Sequence, residues 1–264
     1  MRGDRPAIFR PVRDRPGGGR LDTFHLPGVE YPLLDEIHEA TAVSPAPADG
    51  PISNLLTGLN RSGPGPAGER VVFSGPGRKE PVCDYVEALR RRRSRRNFTP
   101  RAGRIGINDL AELFQVLESL LPELARPRPE ITFAATGISG LPDGFYAYDG
   151  EACGFVRCGS EVPDAAAIGR ACLDQRWAGL AALKFLFWSR LAAAESAFGP
   201  RAYRRLNLAA GQAAQALYLA AETAGLGACG VGAFFDRELA RAFALDEGCD
   251  PLYLVAVGPL AGVG

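Results

Sequence analysis

Six arginines stand within seven residues at Arg90-Arg91-Arg92-Arg93-Ser94-Arg95-Arg96. A planar guanidinium meets phosphate oxygens in bidentate fashion, so arginines around a serine hydroxyl suit a phosphate and the polar edge of a bound ring. A solvated basic tail on a helix, or a patch touching an acidic partner, uses the same residues, and the two readings stay open on the residues alone. The second constellation is Gly225–Asp236, Gly-Leu-Gly-Ala-Cys-Gly-Val-Gly-Ala-Phe-Phe-Asp. Glycines at 225, 227, 230 and 232 let a backbone approach a flat ligand and offer it N–H groups, or simply satisfy a tight helix-to-strand connection.

No acid–base pair stands beside these features. The chain has two histidines, and its six cysteines (Cys83, Cys153, Cys158, Cys172, Cys229 and Cys249) form no CxxC pair, so no metal site is expected and reduced thiols are. Thirty Lys and Arg balance thirty Asp and Glu, which argues against nucleic acid or an anionic membrane as partner. Met1–Gly19 alternates Arg, Asp, Pro and Gly with no apolar signal core, and no run is long enough to span a bilayer; a cytoplasmic protein is expected.

The elements that position these residues lie in the second part of the chain. Met1–Lys79 is crowded with Gly, Pro and Arg, and the composition changes near Gly77–Glu80. We therefore expect an N-terminal extension and linker over 1–80 and a folded domain over 81–264. Tyr31–Thr41 has the pattern of a short helix, and Ser44–Gly77 that of a linker or surface arm.

From Pro81, Val82, Tyr85, Val86 and Leu89 are spaced as one helix face leading into the arginines, and a second helix is expected after Asn108 as N-cap, running to Pro122. Ile131–Ile138 alternates as a strand. Gly144–Tyr148, Asp149-Gly150 and Glu151–Arg157 read as a tight hairpin with a two-residue turn. Gly179–Trp188 reads as a strand buried on both faces, broken by Lys184, whose ordinary destination is solvent at a strand edge. Arg201–Ala224 is an alanine-rich helix closed by Gly225, Asp236 is expected to cap a helix through Phe243, and Pro251–Val257 closes the domain as a central strand. This order gives an α+β domain with a central mixed sheet enclosed by helices; with no GxGxxG after a strand, a Rossmann arrangement is disfavoured.

The order of features resembles the nitroreductase-like flavoprotein superfamily. Its RRSxRxF motif, which opens the domain and binds flavin mononucleotide (FMN), matches Arg92-Arg93-Ser94-Arg95-Arg96-Asn97-Phe98 at every fixed position. The resemblance implies a flavin-binding set of Arg92, Arg93, Ser94 and Arg96, with the flavin N5 contact around Val231, Gly232 and Ala233. It also implies a dimer-forming fold, with Arg201–Ala224 at the interface and the flavin between subunits.

Within the superfamily the chain is most similar to the SagB/ThcOx type dehydrogenases, in particular to the second half of tandem members. Leu141–Tyr148 (Leu-Pro-Asp-Gly-Phe-Tyr-Ala-Tyr), Ala202–Gln215 and Gly230–Asp236 carry that likeness. Two departures accompany it. Pro122–Gly140 has no Ser-Ala-Gly-Ala-Leu-Tyr-Pro type segment, and the sequence stops at Gly264 without a terminal basic residue. What the resemblance implies is an FMN-dependent oxidoreductase acting on a peptide azoline or a small molecule, as a homodimer or a heterodimer with a related flavin subunit. The alternative is a non-catalytic subunit supporting an active flavin-binding partner. Lys184 and Tyr203 are the residues to consider for proton transfer, and neither is assigned a catalytic role.

Overall fold

The structure, a computed structural model, describes residues 70–72, 83–99, 105–120, 127–149, 154–158 and 161–262. All belong to the compact unit Pro47–Gly264. The helix expected over Tyr31–Thr41 lies outside the described residues.

Seven strands form one sheet in the order β1-β4-β3-β2-β5-β7-β6. They are β1 Arg70–Val72, β2 Glu130–Ala135, β3 Gly144–Asp149, β4 Gly154–Cys158, β5 Leu183–Ser189, β6 Gly227–Val231 and β7 Asp250–Gly258. Every pairing between these strands is antiparallel. The mixed character comes from single bridges outside the strands, including a parallel one between Ser94 and Ala228. Strand β1 lies upstream of the compositional change near Gly77–Glu80 and pairs with β4.

The helices are α1 Tyr85–Arg91, α2 Ile107–Leu120, α3 Ala165–Ala171, α4 Arg176–Leu180, α5 Leu191–Phe198, α6 Ala202–Thr223 and α7 Asp236–Ala242. Alternation along the strands sends successive side chains to opposite faces, and both faces are covered. Ile131, Phe133, Leu183, Phe185, Phe187, Val255 and Val257 meet Leu110, Leu113 and Phe114 of α2 and the alanines of α6. On the other face Ala134, Leu186 and Leu254 meet Ile168 of α3, Ala178 of α4 and Leu239 of α7. Alanines let α6 lie close to the sheet, and its end is a Schellman cap: Gly225 has φ 69°, with Leu226 N donating to Ala221 O at 2.7 Å and Gly225 N to Glu222 O at 3.2 Å.

Several expected boundaries shift for identifiable reasons. Helix α2 starts before Asn108, and its first turn is tied by the Asp109 carboxylate accepting from Gly106 N at 2.7 Å. Asp236 is the first residue of α7, not its cap, and Phe235 holds the cap position. The apolar run from Gly179 is divided, with α4 ending at Leu180 and β5 beginning at Leu183. Asp149 lies opposite Gly154, so the β3–β4 connection spans residues 150–153 in place of a two-residue turn. On α1, Asp84 caps through its carboxylate, accepting from Glu87 N at 2.8 Å, and Ala88 with Cys83 packs on Leu219 of α6. Val86 and Leu89, expected on the buried face, are 53% and 43% exposed in this chain.

Candidate functional site

The arginine motif leaves α1 at Arg92 and runs as an extended segment along the outer edge of β6. Ser94 bridges Ala228 in parallel, and Arg95 N donates to Ala228 O at 2.9 Å. Phe98, 7% exposed, anchors the segment among Ala181, Cys229 and Ala256. Beyond it, Thr99 N donates to Pro259 O at 3.0 Å and Ala261 N to Asn97 O at 2.8 Å, so the stretch after β7 clamps the motif from the other side. Two constellations more than a hundred residues apart in sequence thus become neighbours.

Their contact passes through Tyr218 of α6. Its phenol oxygen lies 3.0 Å from Ser94 Oγ and accepts from Gly230 N at 2.6 Å, while the Arg92 guanidinium carbon stands 5.3 Å from the centre of its ring. Arg96 lies likewise over Trp177 of α4, at 5.4 Å. Arg93 donates from one terminal nitrogen to Arg90 O at 2.9 Å and Arg92 O at 2.8 Å. Arg91, outside the expected set, pairs with Glu87 at 3.2 Å and Glu222 at 3.5 Å and partly offsets their charge. Arg93, Ser94, Arg95 and Arg96 are exposed.

The glycine segment divides by role. Val231 ends β6 with its side chain buried, whereas Gly232 and Ala233 are exposed. A side chain at Gly230 would collide with the Tyr253 ring and hydroxyl, and one at Gly232 would come within 3.2 Å of the same ring. Gly227 is closed off by Leu260 and Arg95. Gly227 and Gly230 therefore serve close packing inside the chain. Burial pushes the Tyr253 hydroxyl above its ordinary value, with Tyr218 and Cys229 adding to the shift.

Lys184 does not reach solvent. It is fully buried on β5, where Nζ donates to Thr136 Oγ1 and Ala181 O, both at 3.0 Å. Desolvation pulls its pKa down to about 8 from 10.5, opposed by the Asp143 carboxylate. Tyr203 is exposed at the start of α6, and nothing in the described residues links it to Ser94 or Gly230. Among the described residues no group of His, Cys, Asp and Glu could hold a metal ion, and no helix is long and apolar enough to cross a membrane.

The donor set fits a flavin phosphate. Arg93, Ser94, Arg95 and Arg96 are exposed and consecutive, and Arg91 partly offsets the charge of Glu87 and Glu222. Tyr218, Trp177 and Tyr253, which contact the arginine motif or the glycine segment in the fold, were not among the residues expected from the sequence. The signal for Tyr218 was available: one phenol in an otherwise apolar stretch of a buried helix, which requires a hydrogen-bond partner.

Residues 155–259 match the family model described as the nitroreductase family. A protein of Methanocaldococcus jannaschii whose name assigns it provisionally to the nitroreductases is 31% identical over 130 residues, covering 49% of this chain and 64% of its own. A crystal structure from Anabaena variabilis, also titled a nitroreductase, superposes with a TM-score of 0.64 at 23% identity, over 74% of this chain and 42% of that one. One from Ralstonia eutropha gives 0.53 at 22% identity, over 83% and 96%. The Escherichia coli microcin synthetase McbBCD complex, with truncated pro-MccB17 bound, gives 0.50 at 16% identity, over 87% and 92%. This chain thus spans 64% of the M. jannaschii relative and 42% of the A. variabilis chain. Residues 155–259 match the nitroreductase family model, and the sheet and helices superpose on solved structures titled nitroreductases, so the chain has the nitroreductase fold.

Proposed function

We propose that this chain is an FMN-dependent oxidoreductase whose flavin lies along the outer edge of β6. The observation that carries the reading is the pairing of Ser94 and Arg95 with Ala228, which lays the arginine motif along β6, the strand that leads into the exposed Gly232 and Ala233. Arg93, Ser94 and Arg96 would hold the phosphate and polar ring edge, Arg92 would support them from above Tyr218, and the backbone around Val231, Gly232 and Ala233 would face the flavin N5. The flavin supplies hydride transfer, so the protein's share is binding, orientation and electrostatics.

The substrate we favour is a peptide azoline, on the resemblance of Leu141–Tyr148 and Ala202–Gln215 to the peptide-modifying branch. A related surface is proposed to complete the site in a homodimer or heterodimer through α6, whose exposed residues include Tyr203, Leu208 and Gly211. In this reading residues 81–264 are the working domain and 1–80 an extension, in a cytoplasmic protein that binds neither nucleic acid nor membrane.

A second reading is a supporting subunit without its own chemistry. It is favoured by the intrachain engagement of the motif: Ser94 and Arg92 meet Tyr218, and Arg93 turns to backbone carbonyls. An absorbance spectrum of the purified protein from about 300 to 550 nm, before and after addition of FMN and desalting, separates the two. A retained band in stoichiometric amount supports the oxidoreductase, and its absence in the isolated protein supports the partner-dependent subunit.

A further inference from the structure

We infer that Tyr218 is a positioning residue that fixes the Ser94 hydroxyl as a hydrogen-bond donor toward the ligand, an inference that rests on the flavin-site reading above. The phenol oxygen of Tyr218 has a neighbour on each side. Gly230 N can only donate, and at 2.6 Å it takes one accepting position of that oxygen and cannot receive the phenol proton. The remaining neighbour is Ser94 Oγ at 3.0 Å. Tyr218 is 9% exposed, and leaving its O–H unpaired there would be unfavourable. No other acceptor for it stands among the described residues, so the Tyr218 proton goes to Ser94 Oγ.

The direction then propagates. Ser94 Oγ accepts from within the protein, and because the residue is exposed, its own proton points outward. A serine that donated to Tyr218 would present only lone pairs to a ligand, whereas Ser94 so held keeps its proton free to donate outward. The guanidinium groups beside it are also donors only. The whole edge is therefore rich in donors and favours an acceptor-rich, anionic group such as a phosphate or the carbonyl edge of a flavin. The same relay joins the Gly230 amide to Ser94, adding a side-chain link to the backbone pairing of Ser94 and Arg95 with Ala228.

The test is a double-mutant cycle on FMN affinity, read by quenching of flavin fluorescence, with Ser94→Ala, Tyr218→Phe and the double variant. We expect each single change to weaken binding about tenfold, the scale of one hydrogen bond to a charged group, and the double variant to be no weaker than Ser94→Ala. Losses that multiply would overturn the relay, since Tyr218 would then act independently of Ser94. Ser94 is exposed, so Ser94→Ala should fold, and its binding FMN as well as the parent does would overturn the relay too.

If the parent binds no FMN, the flavin proposal fails while the relay is still judged in the flavin-free protein by NMR with selectively labelled tyrosine and serine. A slowly exchanging Tyr218 hydroxyl proton with a cross-peak to the Ser94 β protons supports it. A rapidly exchanging hydroxyl proton, or one without that cross-peak, contradicts it.

Discussion

Lys184 makes stability depend on pH with a sign opposite to that of a surface lysine. Its folded pKa is about 8 against 10.5 for the free group, so between those values the unfolded chain holds more protons and stability rises with pH. The full span is worth about 3 kcal/mol. Cys172 acts the other way: burial raises its thiol to about 11 from 9.0, so its contribution is intact below pH 9 and is lost as pH rises toward 11. From these two groups, denaturant titrations should show stability rising between about pH 8 and 9 and level to about 10.5, where the opposing slopes cancel, and Lys184→Met should remove the rise and expose the fall from pH 9 upward. A second residue-scale expectation concerns Gly230, where alanine would drive a methyl into Tyr253; a loss of about 1–3 kcal/mol is expected in the same titrations. Ser94 and the arginines were legible as chemistry because their types are scarce in that density, and Phe98 came with them through the motif. For Tyr218 the need for a partner was readable but not the partner, which lies 124 residues away, and the burial of Lys184 depends on which strands flank it.

At the scale of elements, α6 combines a face of alanines packed on the sheet with an exposed Gly211 that meets nothing within 4 Å. A glycine in mid-helix costs about 1 kcal/mol relative to alanine, so Gly211→Ala should stabilise the dilute chain by that amount. Where a second subunit packs along α6, as proposed, the added methyl should also raise the dimer dissociation constant several-fold in sedimentation measurements. Unchanged association would move the interface elsewhere. The long helix and its glycine cap were legible because small residues, period and cap agree over six turns. The junction at Gly179–Trp188 was less so, because periodicity cannot separate a short buried helix from a buried strand when both are apolar throughout. The Asp149-Gly150 pair suggested a tight turn, yet register is set by the facing strands, and Asp149 opposite Gly154 leaves a longer connection.

For the whole molecule, the α+β arrangement with a helix-covered sheet was readable from the sequence of periodicities. Strand order was not, since it depends on contacts distant in sequence. The exposed Val86 and Leu89 on α1 and Leu208 on α6 give the chain apolar surface consistent with the proposed association. If that association is through these residues, Val86→Glu with Leu208→Glu should yield a monomer by light scattering, with the thermal transition of the dilute protein moved by no more than a few degrees.

Strand β7 comes late in the chain, yet it is inserted between β5 and β6. During synthesis, the apolar edge of Leu183–Ser189 must wait without its partner until Asp250–Gly258 has been made. A nascent or truncated chain that stops before Asp250 would display that edge as a template for intermolecular strand pairing. The vulnerable period of this protein is therefore the interval of translation between β5 and β7, when chaperone protection has the most to contribute.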